Sequence, residues 1–159
     1  MKRIITMITA AALGLMAWTS HAAVATVTVD GGTPMDLDWW DMLNSFTRDA
    51  TSKVEVKLTE EVSLTSMFSW DNSSAEFVLD LNGQKMSYSS GDVIVVKSGA
   101  TLTITDSSEN ETGRICCSDN TSYAVQGKSD STVNIEGGIF DGNVKLDNKG
   151  ITHGCRLKK

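Results

Sequence analysis

The sequence has little of several residues whose scarcity disfavours whole classes of protein. Basic residues are outnumbered, 14 Lys and Arg against 20 Asp and Glu, which leaves a net charge of −6. Binding to nucleic acid or to an anionic membrane needs basic patches and is therefore disfavoured. Histidine occurs twice, at His21 and His153, so a Ser-His-Asp triad has little to be built from.

Cysteine is also scarce, and its three positions allow at most one bridge within the chain. No CxxC pair or second ligand pair accompanies Cys116, Cys117 and Cys155, which disfavours zinc. Adjacent cysteines rarely bridge each other because the geometry strains the intervening peptide. The sequence therefore predicts structural thiols, or one disulfide between Cys155 and either Cys116 or Cys117.

Long apolar runs are absent after the first 22 residues. Lys2 and Arg3 precede an apolar run from Ile4 to Trp18, and small residues close the segment at Ser20 and Ala22. A basic start, a short apolar core and small residues at the end are typical of a secretory signal peptide. The run is short for a membrane span. We predict that residues 1–22 are a cleaved signal and that the product is secreted or held at the cell surface.

With one proline and 13 glycines, the remaining composition is typical of many short strands joined by turns. Residues 23–52 are predicted to hold an N-terminal strand over Ala23–Val29 and a capping helix that begins near Thr33 and Pro34. Apolar residues at helical spacing support that helix over Met35–Ala50. Its adjacent tryptophans, Trp39 and Trp40, either pack the helix onto a sheet or stack on sugars, and packing is favoured.

Residues 53–143 carry a repeat with period-two alternation. Three apolar residues, Val54, Val56 and Leu58, recur 23 residues later and again after a second step of 23, and a looser copy follows after a step of 31. Each repeat has room for about three short strands, and the longer step indicates a loop insertion within Asp106–Thr121. The predicted copies of the main strand are Val54/Val56/Leu58, Phe77/Leu79/Leu81, Ala100/Leu102/Ile104 and Ser131/Val133/Ile135.

A repeat of this length predicts a coil whose neighbouring turns stack. Three strands per repeat give an all-β, right-handed parallel β-helix of about four rungs beneath the capping helix. Two inward stacks follow from a constant register, namely Val56–Leu79–Leu102–Val133 and Leu58–Leu81–Ile104–Ile135. The chief competitor is an antiparallel sandwich, which has no reason to keep the 23-residue step.

The outward positions give the candidate site. A constant register places Lys57, Asp80, Thr103 and Asn134 in one outward row, with Lys57 and Asp80 as a surface ion pair. This row lacks the paired carboxylates of a glycosidase and the oxygen cluster of a calcium site. Catalytic, cofactor-binding and metal residues are therefore predicted to be none, and Asp80, Thr103 and Asn134 are the predicted ligand-facing residues.

Two further features are interpreted as structural. Arg114 is assigned to a loop, which removes it as a strand-borne base. Asp36, Asp38 and Asp41 are interpreted as the acidic first turns of the helix rather than as calcium ligands.

From KVEVKLTEEVSL through VIVVKSGATLTITDSS to STVNIEGGIFDG, the sequence resembles secreted right-handed β-helix proteins of the pectate-lyase-like type. That group includes bacterial surface adhesins and autotransporter passenger domains. The resemblance covers about Pro34–Asn143. It implies a helix that plugs the N-terminal end and an exported protein that displays its surface.

The chain departs from that group after Asn143. Residues 144–159 hold one more strand-like segment and no evident cap, so an exposed final rung is expected. The expectation is therefore either a shortened relative or self-association through the uncapped C-terminal rung. The predicted function is non-enzymatic display, with adhesion to a host surface or glycan binding. The alternative is a degenerate polysaccharide lyase or hydrolase that binds carbohydrate.

Overall fold

A computed structural model describes residues 22–39 and 48–147. The fourteen elements assigned there are all β-strands, and every pairing is parallel except the two made by the first strand. The fold is therefore all-β with parallel sheets, as predicted at that level. No helix in this part of the chain is long and apolar enough to cross a membrane. The predicted signal peptide, apart from Ala22, lies outside the described residues.

The strands form three sheets. Sheet A contains β1 (Ala25–Val29), β2 (Met35–Leu37), β3 (Lys53–Leu58), β6 (Glu76–Asp80), β9 (Thr101–Thr105) and β12 (Thr132–Ile135). Sheet B contains β4 (Val62–Leu64), β7 (Lys85–Tyr88), β10 (Arg114–Cys117) and β13 (Ile139–Asp141). Sheet C contains β5 (Phe68–Trp70), β8 (Ile94–Val96), β11 (Tyr123–Gly127) and β14 (Asn143–Leu146).

From β3 onward the chain visits sheets A, B and C in rotation. Each strand pairs in parallel with the strand three positions later in the chain, so β3 pairs with β6 and β4 with β7. We call one passage through the three sheets a circuit. The described chain makes four circuits, which begin at β3, β6, β9 and β12.

The register agrees with the sequence prediction at two of three steps. Val56 pairs with Leu79, 23 residues later, and Leu102 pairs with Val133, 31 residues later, as predicted. The middle step is wrong by two residues, because Leu79 pairs with Ile104 rather than with Leu102. The observed inward stacks are Val54–Phe77–Leu102–Val133 and Val56–Leu79–Ile104–Ile135.

The slip arises mainly in the bend between β7 and β8. Ile94 follows Tyr88 by six positions, whereas their partners in the first circuit, Phe68 and Leu64, are four apart. A shift of two residues leaves every side chain on its original face, because side chains alternate with period two. Hydrophobic alternation therefore could not detect it.

The inward faces of all three sheets share one core. Leu79, Leu102 and Ile104 are completely buried there. Phe77 contacts aromatic side chains of sheet C, with ring centroids 4.9 Å from both Phe68 and Trp70. Each fully buried aliphatic or aromatic side chain contributes roughly 1.5–3 kcal/mol, so burial in this core strongly favours folding.

The insertion predicted within Asp106–Thr121 is present, but it surrounds a strand that the sequence analysis missed. Arg114 is not in a loop: it begins β10 and pairs with Lys85 on one side and Ile139 on the other. The strand is short and has turn residues on both sides, with a single fully buried residue, Ile115. Its sequence pattern is therefore too weak to reveal it.

Polar side chains at the bends join successive circuits. We call Asn72, Asn82, Asp106 and Asn143 the corner clamps, because each bonds to backbone 22 to 24 residues earlier. The Asn72, Asn82 and Asn143 amides donate to carbonyl oxygens over 2.8–3.1 Å. Such bonds satisfy backbone groups that strand pairing leaves unpaired at a bend.

Asp106 is the corner clamp with the most contacts. It follows Thr105, in the register position held by Leu58 and Leu81 in the earlier circuits, and it is 8% exposed. Its carboxylate accepts from the backbone N–H groups of Gly83 at 2.8 Å and Gly113 at 2.6 Å. Burial raises the pKa of Asp106, but hydrogen bonds from Ser108, Gly83 and Gly113 outweigh it and lower the pKa below its ordinary value.

The N-terminal end is closed by a hairpin where a helix start was predicted. Met35–Leu37 is strand β2, which pairs antiparallel with β1, so the predicted helix is wrong over these residues. Pairing with β2 satisfies the backbone hydrogen-bonding groups at the outer edge of β1. This stabilisation outweighs the local preference of the residues for a helix. Residues 48–50, the predicted end of the helix, are not helical, and residues 40–47, with Trp40 and Asp41, lie outside the described residues.

Trp39 follows this hairpin and packs edge-on against Phe68, with ring centroids 5.5 Å apart and planes at 81°. Phe68 belongs to the first circuit, so the indole lies at the N-terminal end of the core. This contact agrees with the packing interpretation of Trp39 and leaves less of its ring for a sugar.

Asp30 ties the hairpin to the first circuit. Its backbone is left-handed, with φ of 48°, and its carboxylate accepts from the backbone N–H groups of Thr51, Ser52 and Lys53 at 2.8–2.9 Å. The Thr51 and Ser52 hydroxyls also donate to it at 3.0 Å. These bonds, the Lys53 and Thr51 amides foremost, hold the pKa of Asp30 far below its ordinary value.

The inward side chains of the C-terminal circuit are buried. Its inward residues Val133, Ile135 and Phe140 are 1%, 9% and 9% exposed. The Val144–Leu146 part of the predicted tail forms most of β14, while residues 148–159 lie outside the described residues.

Leu79→Ala tests the inward stacks. We expect a loss of about 2–5 kcal/mol in the free energy of unfolding, because the truncation leaves a cavity inside a packed core. The matched control is Val78→Ala on the opposite face of β6, where the loss should be much smaller. Urea denaturation followed by circular dichroism measures both. Equal losses would contradict the assignment of the two faces.

Asp30→Asn tests the hairpin tie through its dependence on pH. The folded-state pKa is depressed, so the stabilisation is present above the ordinary value of 3.8 and is lost as the pH falls towards the folded-state pKa. The variant should melt below the wild type at neutral pH, and the two melting temperatures should converge under acid. The control is Asp71→Asn on the exposed surface. A difference independent of pH would count against the tie.

Candidate ligand-facing surface

The outer face of sheet A carries the predicted ligand-facing residues, but not in one row. Asp80 pairs with Lys57 and Thr105, whereas Thr103 pairs with Val78 and Asn134. The structure therefore brings Thr103 and Asn134 together and places Asp80 in the neighbouring column. The predicted row Lys57–Asp80–Thr103–Asn134 is wrong. The cause is the two-residue slip that also shifts the inward stacks.

Three outward columns cross sheet A, each at the spacing of parallel strands, about 4.8 Å. The columns are Lys53–Glu76–Thr101–Thr132, Glu55–Val78–Thr103–Asn134 and Lys57–Asp80–Thr105. Charged residues belong to the first two circuits, and hydroxyl and amide residues to the last two. We call the group Thr101, Thr103, Thr105, Thr132 and Asn134 the hydroxyl–amide patch.

Within this patch, hydrogen bonds fix the side chain of Thr103. Its hydroxyl donates to Glu76 Oε1 at 2.5 Å and accepts from Asn134 Nδ2 at 3.1 Å. Thr103 is 7% exposed, whereas Thr101, Thr105, Thr132 and Asn134 are half-buried. Thr103 therefore positions its neighbours, and direct contact with a ligand falls to the four half-buried residues.

Asp80 is committed to the fold. One carboxylate oxygen accepts from the backbone N–H groups of Asn82 and Ser107, each at 2.9 Å. The other accepts from the Ser107 hydroxyl at 2.6 Å and lies 3.7 Å from Lys57 Nζ. The predicted ion pair with Lys57 is confirmed, and Asp80 mainly closes a bend. Because its acceptors are occupied, Asp80 is poorly placed to bind a ligand.

Sheet B presents paired charges on its outer face. Lys85 Nζ lies 2.8 Å from Glu61 Oε1, and Arg114 Nη1 lies 3.1 Å from Asp141 Oδ2. All four side chains are about half exposed, so each pair contributes little to stability. Since both cations have an anionic neighbour, this face offers no concentrated charge of one sign.

Within the part of the chain that the structure describes, no three His, Cys, Asp or Glu side chains converge. Asp36 lies on β2, and its carboxylate accepts from the Thr26 hydroxyl at 2.7 Å. Its predicted role in the first turn of a helix is therefore wrong. Asp41 and His153 lie outside the described residues.

The adjacent cysteines of β10 face opposite sides of sheet B. Cys116 Sγ donates to Asp141 Oδ2 at 3.3 Å on the outer face, while Cys117 packs against the core. Burial and the hydrogen bond to Asp141 raise the pKa of the Cys116 thiol to about 11. Cys116 is therefore a poor nucleophile near neutral pH. Cys155, the third predicted disulfide residue, lies outside the described residues.

Sequence reasoning missed Asp30 and Asp106, two carboxylates that each accept from three backbone N–H groups. A signal existed for Asp106, since it continues the column of Leu58 and Leu81 in the corrected register. A carboxylate at an inward position predicts a local set of donors. Asp30 precedes two glycines, a turn signature, but its donors lie more than 20 residues away.

Alkylation of Cys116 tests the environment of its thiol. In a Cys117→Ser/Cys155→Ser chain near pH 8, iodoacetamide should react about a hundredfold more slowly with folded than with urea-unfolded protein, because only the thiolate reacts. Mass spectrometry measures both rates. Asp141→Asn should accelerate the folded-state reaction. Equal rates in the folded and unfolded states would contradict the raised pKa.

Comparison with known proteins identifies no relative: no family model, no curated protein and no solved structure matches the chain.

Proposed function

We propose that the chain is an exported, non-enzymatic module that displays the outer face of sheet A for adhesion or glycan binding. Its circuits wind as a right-handed parallel β-helix of about four rungs, of the type found in pectate-lyase-like bacterial surface proteins. The observation that carries the proposal is the set of outward columns held in register by parallel pairing.

The hydroxyl–amide patch supports a glycan as the ligand. Threonine hydroxyls both donate and accept hydrogen bonds, and an asparagine amide offers two donors and an acceptor. Sugar hydroxyls need the same mixture of partners. Thr101 and Thr132 are directly paired, as are Thr103 and Asn134, so the patch repeats from strand to strand as the units of a polymer do.

Rigidity supports display rather than catalysis. Thr103 is fixed by Glu76 and Asn134, and Asp80 by the backbone of Asn82 and Ser107. A surface held in this way loses little side-chain entropy on binding, which favours recognition of a repeating ligand. The Asp80 carboxylate on this face makes four contacts with the protein itself.

The first 22 residues of the sequence support the proposed export. A basic start, an apolar core and small terminal residues support cleavage after Ala22, and strand β1 begins three residues later, at Ala25. Self-association through the last circuit stays a prediction.

Binding to a panel of immobilised neutral and acidic polysaccharides tests the proposal. We expect binding without cleavage, unaffected by a chelator. Thr101→Val/Thr132→Val should weaken it by about tenfold, since each lost hydrogen bond costs about 0.5–1.5 kcal/mol, and Asn134→Ala should act in the same direction. Ser63→Ala on sheet B is the matched control and should bind normally.

Two results would contradict this function. Release of unsaturated sugars would assign the chain to the lyase alternative. Equal binding by the wild type and the patch variants would show that the outer face of sheet A is not the binding surface. Circular dichroism of each variant separates a lost contact from a lost fold.

A further inference from the structure

Asn82 and Gly83 are the central residues of the tight turn that follows β6. Both have positive φ, 47° and 79°, and the backbone N–H of Gln84 donates to the carbonyl oxygen of Leu81 at 2.8 Å. This combination is typical of a type I′ turn, for which Asn-Gly is a preferred sequence. Both residues are half-buried, so water reaches the turn.

Asn-Gly is also the dipeptide in which asparagine loses its side-chain amide most readily. Glycine has no β-carbon, so its backbone nitrogen can approach the side chain of the preceding asparagine closely. Asparagine is for this reason one of the thermolabile residues of proteins. The residues that suit this turn therefore also place a reactive amide at a corner clamp.

The backbone nitrogen of Gly83, which is the nucleophile of that reaction, is bonded to a buried carboxylate. Its N–H donates to Asp106 Oδ1 at 2.8 Å, and Asp106 is 8% exposed. The backbone N–H groups of Ser108 and Gly113 hold the same carboxylate at 3.2 and 2.6 Å. The nitrogen attacks only after it has lost its proton, and the nearby negative charge disfavours that loss. Both the hydrogen bond and the charge of Asp106 therefore keep this nitrogen unreactive.

The side-chain amide of Asn82, which is the group attacked, is held as well. Its Nδ2 donates to the carbonyl oxygen of Leu58 at 2.8 Å, and its Oδ1 accepts from the Ser107 hydroxyl at 3.4 Å. The backbone N–H of Asn82 donates to Asp80 Oδ1 at 2.9 Å. To react, the amide has to turn towards the Gly83 nitrogen and leave the Leu58 carbonyl. The contacts that join the first two circuits are thus the contacts that the reaction must break.

We propose that Asn82 is a site of deamidation, and that the Asp106 carboxylate holds the reaction in check while the neighbouring circuits stay together. Hydroxide removes the Gly83 N–H proton, and the nitrogen attacks Cγ of Asn82. A nitrogen–carbon bond forms, the bond from Cγ to Nδ2 breaks, and ammonia leaves with a proton taken from water. Water then opens the cyclic imide, which leaves aspartate or isoaspartate at position 82.

The product weakens the corner at which it forms. A carboxylate at position 82 cannot donate to the Leu58 carbonyl, which loses its partner at the bend. It also adds a negative charge beside Asp80, whose carboxylate already accepts from the backbone of residue 82. Isoaspartate additionally lengthens the backbone of the turn. Deamidation therefore loosens the joint between the first two circuits, and refolding does not restore it.

The test is peptide mapping of the full chain during incubation in mildly alkaline buffer. Trypsin releases peptide 58–85, which contains both Asn72 and Asn82, and fragmentation locates the change from amide to acid. At Asn82 the folded wild type should react roughly ten- to hundredfold more slowly than the urea-unfolded chain, because the hydrogen bond to the charged Asp106 must break first. Asp106→Asn should accelerate the reaction of the folded chain, and Asp106→Ala should accelerate it further.

Asp30→Asn is the matched control. It removes a carboxylate that also accepts from three backbone N–H groups, but those groups lie at the start of β3, whereas Asn82 bonds to its last residue, Leu58. The rate at Asn82 should therefore stay at the wild-type value.

Three outcomes would overturn the proposal. They are a folded wild type that reacts as fast as the unfolded chain, folded Asp106 variants that react no faster than the wild type, and an equal acceleration by Asp30→Asn. Circular dichroism establishes that each variant is folded. Asp106→Asn keeps an acceptor oxygen in place, so it carries the test if Asp106→Ala does not fold.

Discussion

The structure depends on parallel pairing between strands one circuit apart. Each strand receives its hydrogen-bond partner only after the chain has crossed two other sheets and returned, so every circuit must end in register with the one before. A bend that delivered its strand one residue early would turn the inward face of that strand outwards. The corner clamps serve the same constraint at the bends, where strand pairing stops and backbone groups still need partners.

Composition and alternation predicted the strand-rich class, the inward residues of sheet A and the step from β3 to β6, because these are local consequences of side-chain size and period two. They could not predict the two-residue slip at β9, since alternation is blind to an even shift. They missed β10, where Ile115 alone is fully buried. They also assigned Met35–Leu37 to a helix, because the free edge of β1 that attracts these residues is not visible in the local sequence.

The candidate site was likewise predicted correctly only in part. Thr103 and Asn134 were predicted to be neighbours and are neighbours, because the 31-residue step was read correctly. Asp80 was placed with them and lies in another column, where it closes a bend. Outward direction follows from the sequence, whereas adjacency between columns depends on loop lengths elsewhere. A sequence repeat therefore predicts well which residues of one strand face outward. It predicts less well which residues of neighbouring strands lie side by side.

The circuits differ in length, and the differences lie in the bends. Between β9 and β10 the chain makes a wider excursion, closed where Asp106 holds the backbone of Gly113. The sheets on either side keep their pairing, since β7, β10 and β13 remain in register across it. This bend is thus a natural graft point for engineering. A foreign peptide inserted between Ser108 and Thr112 would be anchored at its base by the Asp106 carboxylate. The strand pairing of the sheets on either side would stay unchanged.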